Sequence, residues 1–119
     1  MANSVNIISK SGIEDSKTMF KILNGKCERL RDAVGTVFDI TGYIASIQYN
    51  EDGDEVRILS ICTDTGRIYG TNSPTVIRTF DAMLESFPAP TPENPLTGVT
   101  VISRESAKGR NYIDIDFAE

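Results

Sequence analysis

Residues 36–49, TVFDITGYIASIQY, change parity in mid-run, and this constrains the fold more than any other feature of the chain. Before Gly42, Phe38 and Ile40 share one face of an extended segment. After it, Tyr43, Ala45, Ile47 and Tyr49 hold the opposite parity. Side chains alternate with a period of two along a strand, so one regular strand cannot bury both sets on one face. A bulge or strong bend at Gly42 lets both halves serve a single curved sheet. The expectation is a long, bent strand in a small β domain.

The rest of the sequence supplies its partners. NEDGDE at 50–55 reads as a polar hairpin turn, VRILSICT at 56–63 as the returning strand, and DTG at 64–66 as the turn into a third strand, Arg67–Thr71. Ser73 is a natural helix N-cap and Pro74 suits the first helical turn. Val76, Phe80, Met83 or Leu84, and Phe87 then recur at helical spacing, with the stop before Pro88 and a proline-rich loop beyond. Val99–Arg104 and Asn111–Phe117 close the chain as two strands around a turn at Ala107–Gly109. In the last strand Ile113, Ile115 and Phe117 face one way, Tyr112, Asp114 and Asp116 the other.

Ahead of the long strand, Val5, Ile7 and Ile8 mark a short edge strand or ordered arm within residues 1–12. A helix starting at Asp15 would present Met19, Phe20 and Leu23 and stop at Asn24-Gly25. A second helical turn through Glu28–Asp32 would pack Leu30 and Val34 inward before Gly35. The order strand, strand, strand, helix, strand, strand predicts a mainly β fold: a five-stranded OB-like Greek-key barrel with a helix between strands 3 and 4 and an N-terminal helix. A twisted α+β sheet covered by one or two helices gives much the same pattern. At 119 residues the chain reads as one domain, 1–119, with 1–35 as its N-terminal arm and helical segment.

Charge is unevenly spread. Residues 1–48 carry six Lys/Arg against five Asp/Glu, and residues 49–119 six against twelve, for a net charge of -5. A broadly basic nucleic-acid or membrane binder is thereby excluded, but not one that concentrates its cations in one groove. No run of about 18 apolar residues suggests a membrane span. The start, MANSVNIISKSGIEDS, lacks the pattern of a signal peptide, and Cys27 and Cys62 fit neither a CxxC site nor a disulfide framework. Two reduced thiols and a cytoplasmic location are expected.

Little in the sequence looks catalytic. The absence of histidine removes every His-based triad and the H-E-x-x-H zinc site. The glycines at 66 and 70 match neither a P-loop nor a dinucleotide fingerprint. NEDGDE falls short of a calcium loop, and Asp114 and Asp116 alone do not make a metal site. No enzyme activity, cofactor or metal is expected.

Binding is better supported. Tyr43, Tyr49, Tyr69 and Tyr112 all lie on predicted strands, with Arg57, Arg67, Arg104, Lys108 and Arg110 around them. Bases stack on aromatic rings for about 1–3 kcal/mol each without regard to sequence, and Lys/Arg neutralise the backbone. The stretch SRESAKGRNYID at 103–114 concentrates this signal.

DTGRIYGTNSPTVIRTF, followed by LESFP, then PLTGVTVI and KGRNYIDID, resembles the small single-stranded-DNA-binding proteins of tailed bacteriophages, especially those of protein-primed phages. The likeness covers roughly residues 36–117. It implies a viral protein that coats displaced single-stranded DNA during phage DNA replication, without sequence preference or cofactor. Carried onto this sequence, it implies Tyr43, Tyr49, Tyr69 and Tyr112 for stacking and Arg57, Arg67, Lys108 and Arg110 for phosphates. Replication proteins and self-association are the further partner expectations. In a separate reading, as a generic structural subunit, Phe20, Leu23, Ile7 and Ile8 form an intersubunit seam, although they equally well cover the open side of a small barrel. The competing reading is a phage-encoded interaction or inhibitor protein that binds a host protein through an acidic surface.

Overall fold

The long strand, β3, runs from Val37 to Tyr49, and the sheet is arranged around its bend. The computed structural model describes residues 5–118. The register of β3 against β4, Glu55–Thr63, shifts between Ile40 and Gly42, where the parity of the sequence changes. Phe38 and Ile40 before the shift and Tyr43 and Ala45 after it all reach the same core. The other edge of β3 is shared by two strands in succession. Its first part, from Val37 to Ile40, pairs with β6, Leu96–Glu105; its later part, from Tyr43 to Gln48, pairs with β1, Val5–Ser11. The part of the expected N-terminal strand that falls on residues 1–4 lies outside the described residues.

The handover between those partners is sterically tight. Gly12 follows β1 with φ +73°, and a Cβ there would overlap the Thr41 carbonyl oxygen and lie 2.7 Å from that of Pro90. A Cβ on Gly42 would come within 2.9 Å of both Ile13 Cγ1 and the Ser11 carbonyl oxygen. Two glycines therefore let the β1 end and the β3 bend touch backbone to backbone.

The full strand order is β2 (Glu28–Arg29), β5 (Ile68–Thr71), β4, β3, β6, β7 (Asn111–Phe117), with β1 beside β3. Among the described residues seven strands form an open, strongly curled half-barrel that turns 226° about its axis and leaves its edges 11 Å apart. The closed five-stranded OB-like barrel expected from the sequence is not what the chain forms. The short β2 pairs in parallel with β5, Glu28 opposite Tyr69 and Arg29 opposite Gly70, so it occupies the edge a closing strand would need. Among the described residues β7 pairs with β6 only.

The sheet separates two apolar clusters. Leu59 and Ile61 of β4 and Tyr69 of β5 point into the larger one; their neighbours Cys62 and Ile68 point into the smaller one, on the opposite face. Helix α2, Pro74–Ser86, fills the larger cluster with Val76, Ile77, Phe80 and Met83. Its start is as the sequence predicts: the Ser73 side chain accepts a hydrogen bond from the Val76 N–H, and Pro74 opens the helix. Helix α1, Ser16–Leu23, capped by Asp15, covers the smaller cluster.

The N-terminal expectations need two corrections. α1 buries Ile22 with Met19 beside it, three residues apart, which turns Phe20 and Leu23 outward; Phe20 is 60% exposed. The expected helical turn at Glu28–Asp32 is instead β2 followed by a single 3₁₀ turn, Leu30–Ala33, because residues 28 and 29 find a strand partner in β5. Leu30 is buried as expected, while Val34 is exposed.

Gly12→Ala is expected to destabilise the fold by about 2 kcal/mol or more, since it adds steric overlap to a left-handed backbone. Gly53→Ala, with φ +81° but open space around it, should cost only about 1 kcal/mol. Urea midpoints compare the two, and equal shifts would contradict a tight handover.

Candidate nucleic-acid interface

Where the sheet fails to close, a groove of about 670 Å³ runs between its edges. Glu28 and Arg29 of β2 line it from one edge and Asn111, Tyr112 and Ile113 of β7 from the other. Its floor includes Cys27, Ser60 and Gly70. Gly70 makes room for Cys27: a Cβ at that position would sit 3.3 Å from the cysteine Cβ. Asn72 and Ser73, in the turn before α2, complete one end.

The local fold decides which side chains face this groove. Leu30 is 1% exposed, and its burial anchors the 3₁₀ turn with Arg29 and Arg31 exposed on either side of it; both line the groove. On β7, Ile113, Ile115 and Phe117 belong to the core face, so Tyr112 falls on the other face and stays 38% exposed. The Glu28 carboxylate accepts a 2.8 Å charge-assisted hydrogen bond from Arg67, which cancels a negative charge at the rim. Among the described residues neither Arg29 nor Arg31 takes part in an ion pair. The groove thus joins two free cations, an exposed aromatic ring and several amide and hydroxyl groups.

The residues singled out in the sequence are dispersed. Tyr43 and Tyr69 are core residues, 3% and 6% exposed, which removes them as stacking platforms. Tyr43 packs edge-on against Phe80 with its hydroxyl bonded to that of Ser9, and Tyr69 stacks on Phe38 at 5.5 Å. A ring covered on its faces has none to offer a base. Tyr49 and Tyr112 are exposed, but only Tyr112 lines the groove.

Three of the five basic candidates are engaged by acidic neighbours: Arg57 with Asp81 at 3.6 Å, Arg67 with Glu28, and Arg104 with Asp114 at 3.5 Å. Asp114 also accepts a 2.6 Å hydrogen bond from the Thr79 hydroxyl, tying β7 to α2. Lys108 and Arg110 are exposed on the β6–β7 hairpin, next in sequence to the groove residues Asn111 and Tyr112.

Arg29, Arg31 and Asn72 were missed. A signal for the arginines was present in CERLRD: two cations flank one apolar residue, which fits an anchored turn that turns both outward. A helical turn expected over Glu28–Asp32 draws attention only to the apolar positions Leu30 and Val34.

The structure brings the two cysteines, 35 residues apart in sequence, into contact with one apolar cluster. Burial pushes the Cys27 thiol up, against a hydrogen bond with Ser60 that lowers it. Cys62 is pushed up to about 11, by burial first and by the neighbouring Cys27 second. Both are therefore protonated near neutral pH and poor nucleophiles. No cluster of three His, Cys, Asp or Glu side chains among the described residues is arranged to hold a metal ion. No helix among them is long and apolar enough to cross a membrane. No protein-family model, curated protein or solved structure matches the chain.

Cys62 should alkylate at least about tenfold more slowly at pH 8 than an ordinary thiol of pKa 9.0, with the rate climbing as pH rises toward about 11. The same shift carries a stability sign. The folded thiol keeps its proton where the unfolded one loses it, so this contribution is whole below pH 9 and falls away between pH 9 and about 11. Iodoacetamide labelling read by mass spectrometry tests the rate; reactivity equal to that of a free thiol at pH 8 would contradict the burial.

Proposed function

We propose that the protein binds single-stranded DNA without sequence preference, along the groove between β2 and β7, and protects displaced strands during phage DNA replication. One observation carries the reading: Arg29 and Arg31, free of ion pairs among the described residues, share a groove with the exposed ring of Tyr112. Stacking on a ring beside a cationic track is the chemistry of sequence-tolerant single-strand binding. The likeness of residues 36–117 to phage single-stranded-DNA-binding proteins supports the same choice.

The roles divide by residue. Tyr112 stacks one base. Arg29 and Arg31 neutralise adjoining phosphates, and Asn72 and Asn111 supply hydrogen-bonding groups to sugar or backbone. Lys108 and Arg110 extend the track onto the hairpin. With so few cations on a chain of net charge -5, affinity is modest and salt-sensitive.

A second reading, binding of a host protein through an acidic surface, is favoured by the β3–β4 hairpin. Glu51, Asp52, Asp54 and Glu55 are all exposed there, and none is in an ion pair among the described residues.

A fluorescent oligo-dT of about 30 nucleotides, long enough to exceed a single-domain site, titrated at rising salt, tests the proposal. Tyr112→Ala should weaken binding about 5- to 150-fold, the equivalent of 1–3 kcal/mol. Arg29→Ala with Arg31→Ala should reduce the slope of log K against log salt by about 1.4. The proposal is falsified if the protein binds neither DNA nor RNA single strands at low salt, and pull-down of a host partner becomes the next step.

A further inference from the structure

The expected apolar face of α1 is turned to solvent and flanked by lysines, with the acids Glu14 and Asp15 confined to the start of the helix. Lys17, Phe20 and Lys21 stand at positions i, i+3 and i+4 and so share one exposed face of the helix, with Leu23 next to it. Phe20 is 60% and Leu23 38% exposed, and neither lysine is in an ion pair among the described residues. A bare aromatic ring between two free cations suits an apolar surface that carries acids.

Such a surface exists on the other side of the same molecule. Phe87, just past α2, is 46% exposed and packs edge-on against Phe117 of β7 at 5.3 Å. Glu85 precedes it in the last turn of α2 and is exposed and in no ion pair among the described residues. α1 covers the small cluster and α2 the large one, so the two patches belong to opposite faces of the sheet.

We infer that these faces are the two halves of a head-to-tail contact between copies of this chain, with Phe20 and Leu23 of one copy seated on Phe87 and Phe117 of the next. Charge selects this arrangement. A two-fold contact of α1 on α1 would set Lys17 and Lys21 against their own kind, whereas the head-to-tail contact brings them toward Glu85. Because the two faces differ and lie on opposite sides of the sheet, each head-to-tail pair leaves one face of each kind free and the contact propagates into a row. One aromatic cluster with its charged rim is small beside the roughly 1,200 Å² of a stable interface, so the association is weak and reversible. The contact uses none of the groove residues and does not depend on nucleic acid.

Sedimentation velocity of the free protein over a wide range of concentration provides the test. The wild-type chain should exceed its monomer mass of 13.1 kDa as concentration rises. Phe20→Ser and Phe87→Ser should each weaken association about tenfold or more. Lys21→Glu and Glu85→Lys should each weaken it too, and combining them in one chain should restore it, which a two-fold contact would not allow. All four positions are exposed, and circular dichroism confirms that each variant folds. Monomer at every concentration would overturn the inference, as would a double charge exchange that restores nothing.

Discussion

The close approach of Gly12 to the bend at Gly42 is the constraint on which the rest of the structure depends. It allows one edge of β3 to be paired first by β6 and then by β1, and it lets both parities of β3 reach the same core. A straight strand would send Tyr43 and Ala45 to the face opposite Phe38 and Ile40. With the bend, the sheet curls far enough to wrap α2 but stops short of closure. The unclosed seam and its groove follow from that geometry together with the small β2 that caps the β5 edge.

Local signals made the strands and α2 legible. The β3–β4 hairpin, the Ser73 cap with Pro74, the stop before Pro88 and the alternation of β7 are each set by residues close in sequence, and the structure places them within one to three residues of the reading. Closure was not legible, because it depends on which strand occupies a distant edge. Glu28 and Arg29 show no strand pattern of their own and become β2 only because β5 offers an unpaired edge. The face of α1 was misjudged for a related reason. Met19, Phe20, Ile22 and Leu23 allow more than one apolar stripe, and the small cluster formed with Ile13 and Ile44 selects the one containing Ile22.

The candidate site was legible only in part. Tyr112 follows from strand alternation once β7 is recognised, and its exposure needs no long-range information. Tyr43 and Tyr69 could not be separated from it by residue type: the bend of β3 carries Tyr43 into the core, and Tyr69 is covered by Phe38 of a strand distant in sequence. The basic set was thinned by acids distant in sequence, Glu28 for Arg67 and Asp81 for Arg57. Pairings of this kind belong to the fold, and a charge count along the chain does not contain them. Lys108 and Arg110 are left outside the ion pairs found among the described residues, and Arg29 and Arg31, not in that set, owe their position to the burial of one leucine between them.

The central claim is that a single strand lies in the seam between β2 and β7. Backbone amide NMR shifts recorded while a short oligo-dT is added test it most directly, since they report location as well as binding. The account predicts the largest changes at Arg29, Arg31, Asn72, Asn111 and Tyr112, with the α1 amides from Lys17 to Lys21 nearly unmoved. Changes centred on α1 or on the 50–55 hairpin, with the seam silent, would contradict it.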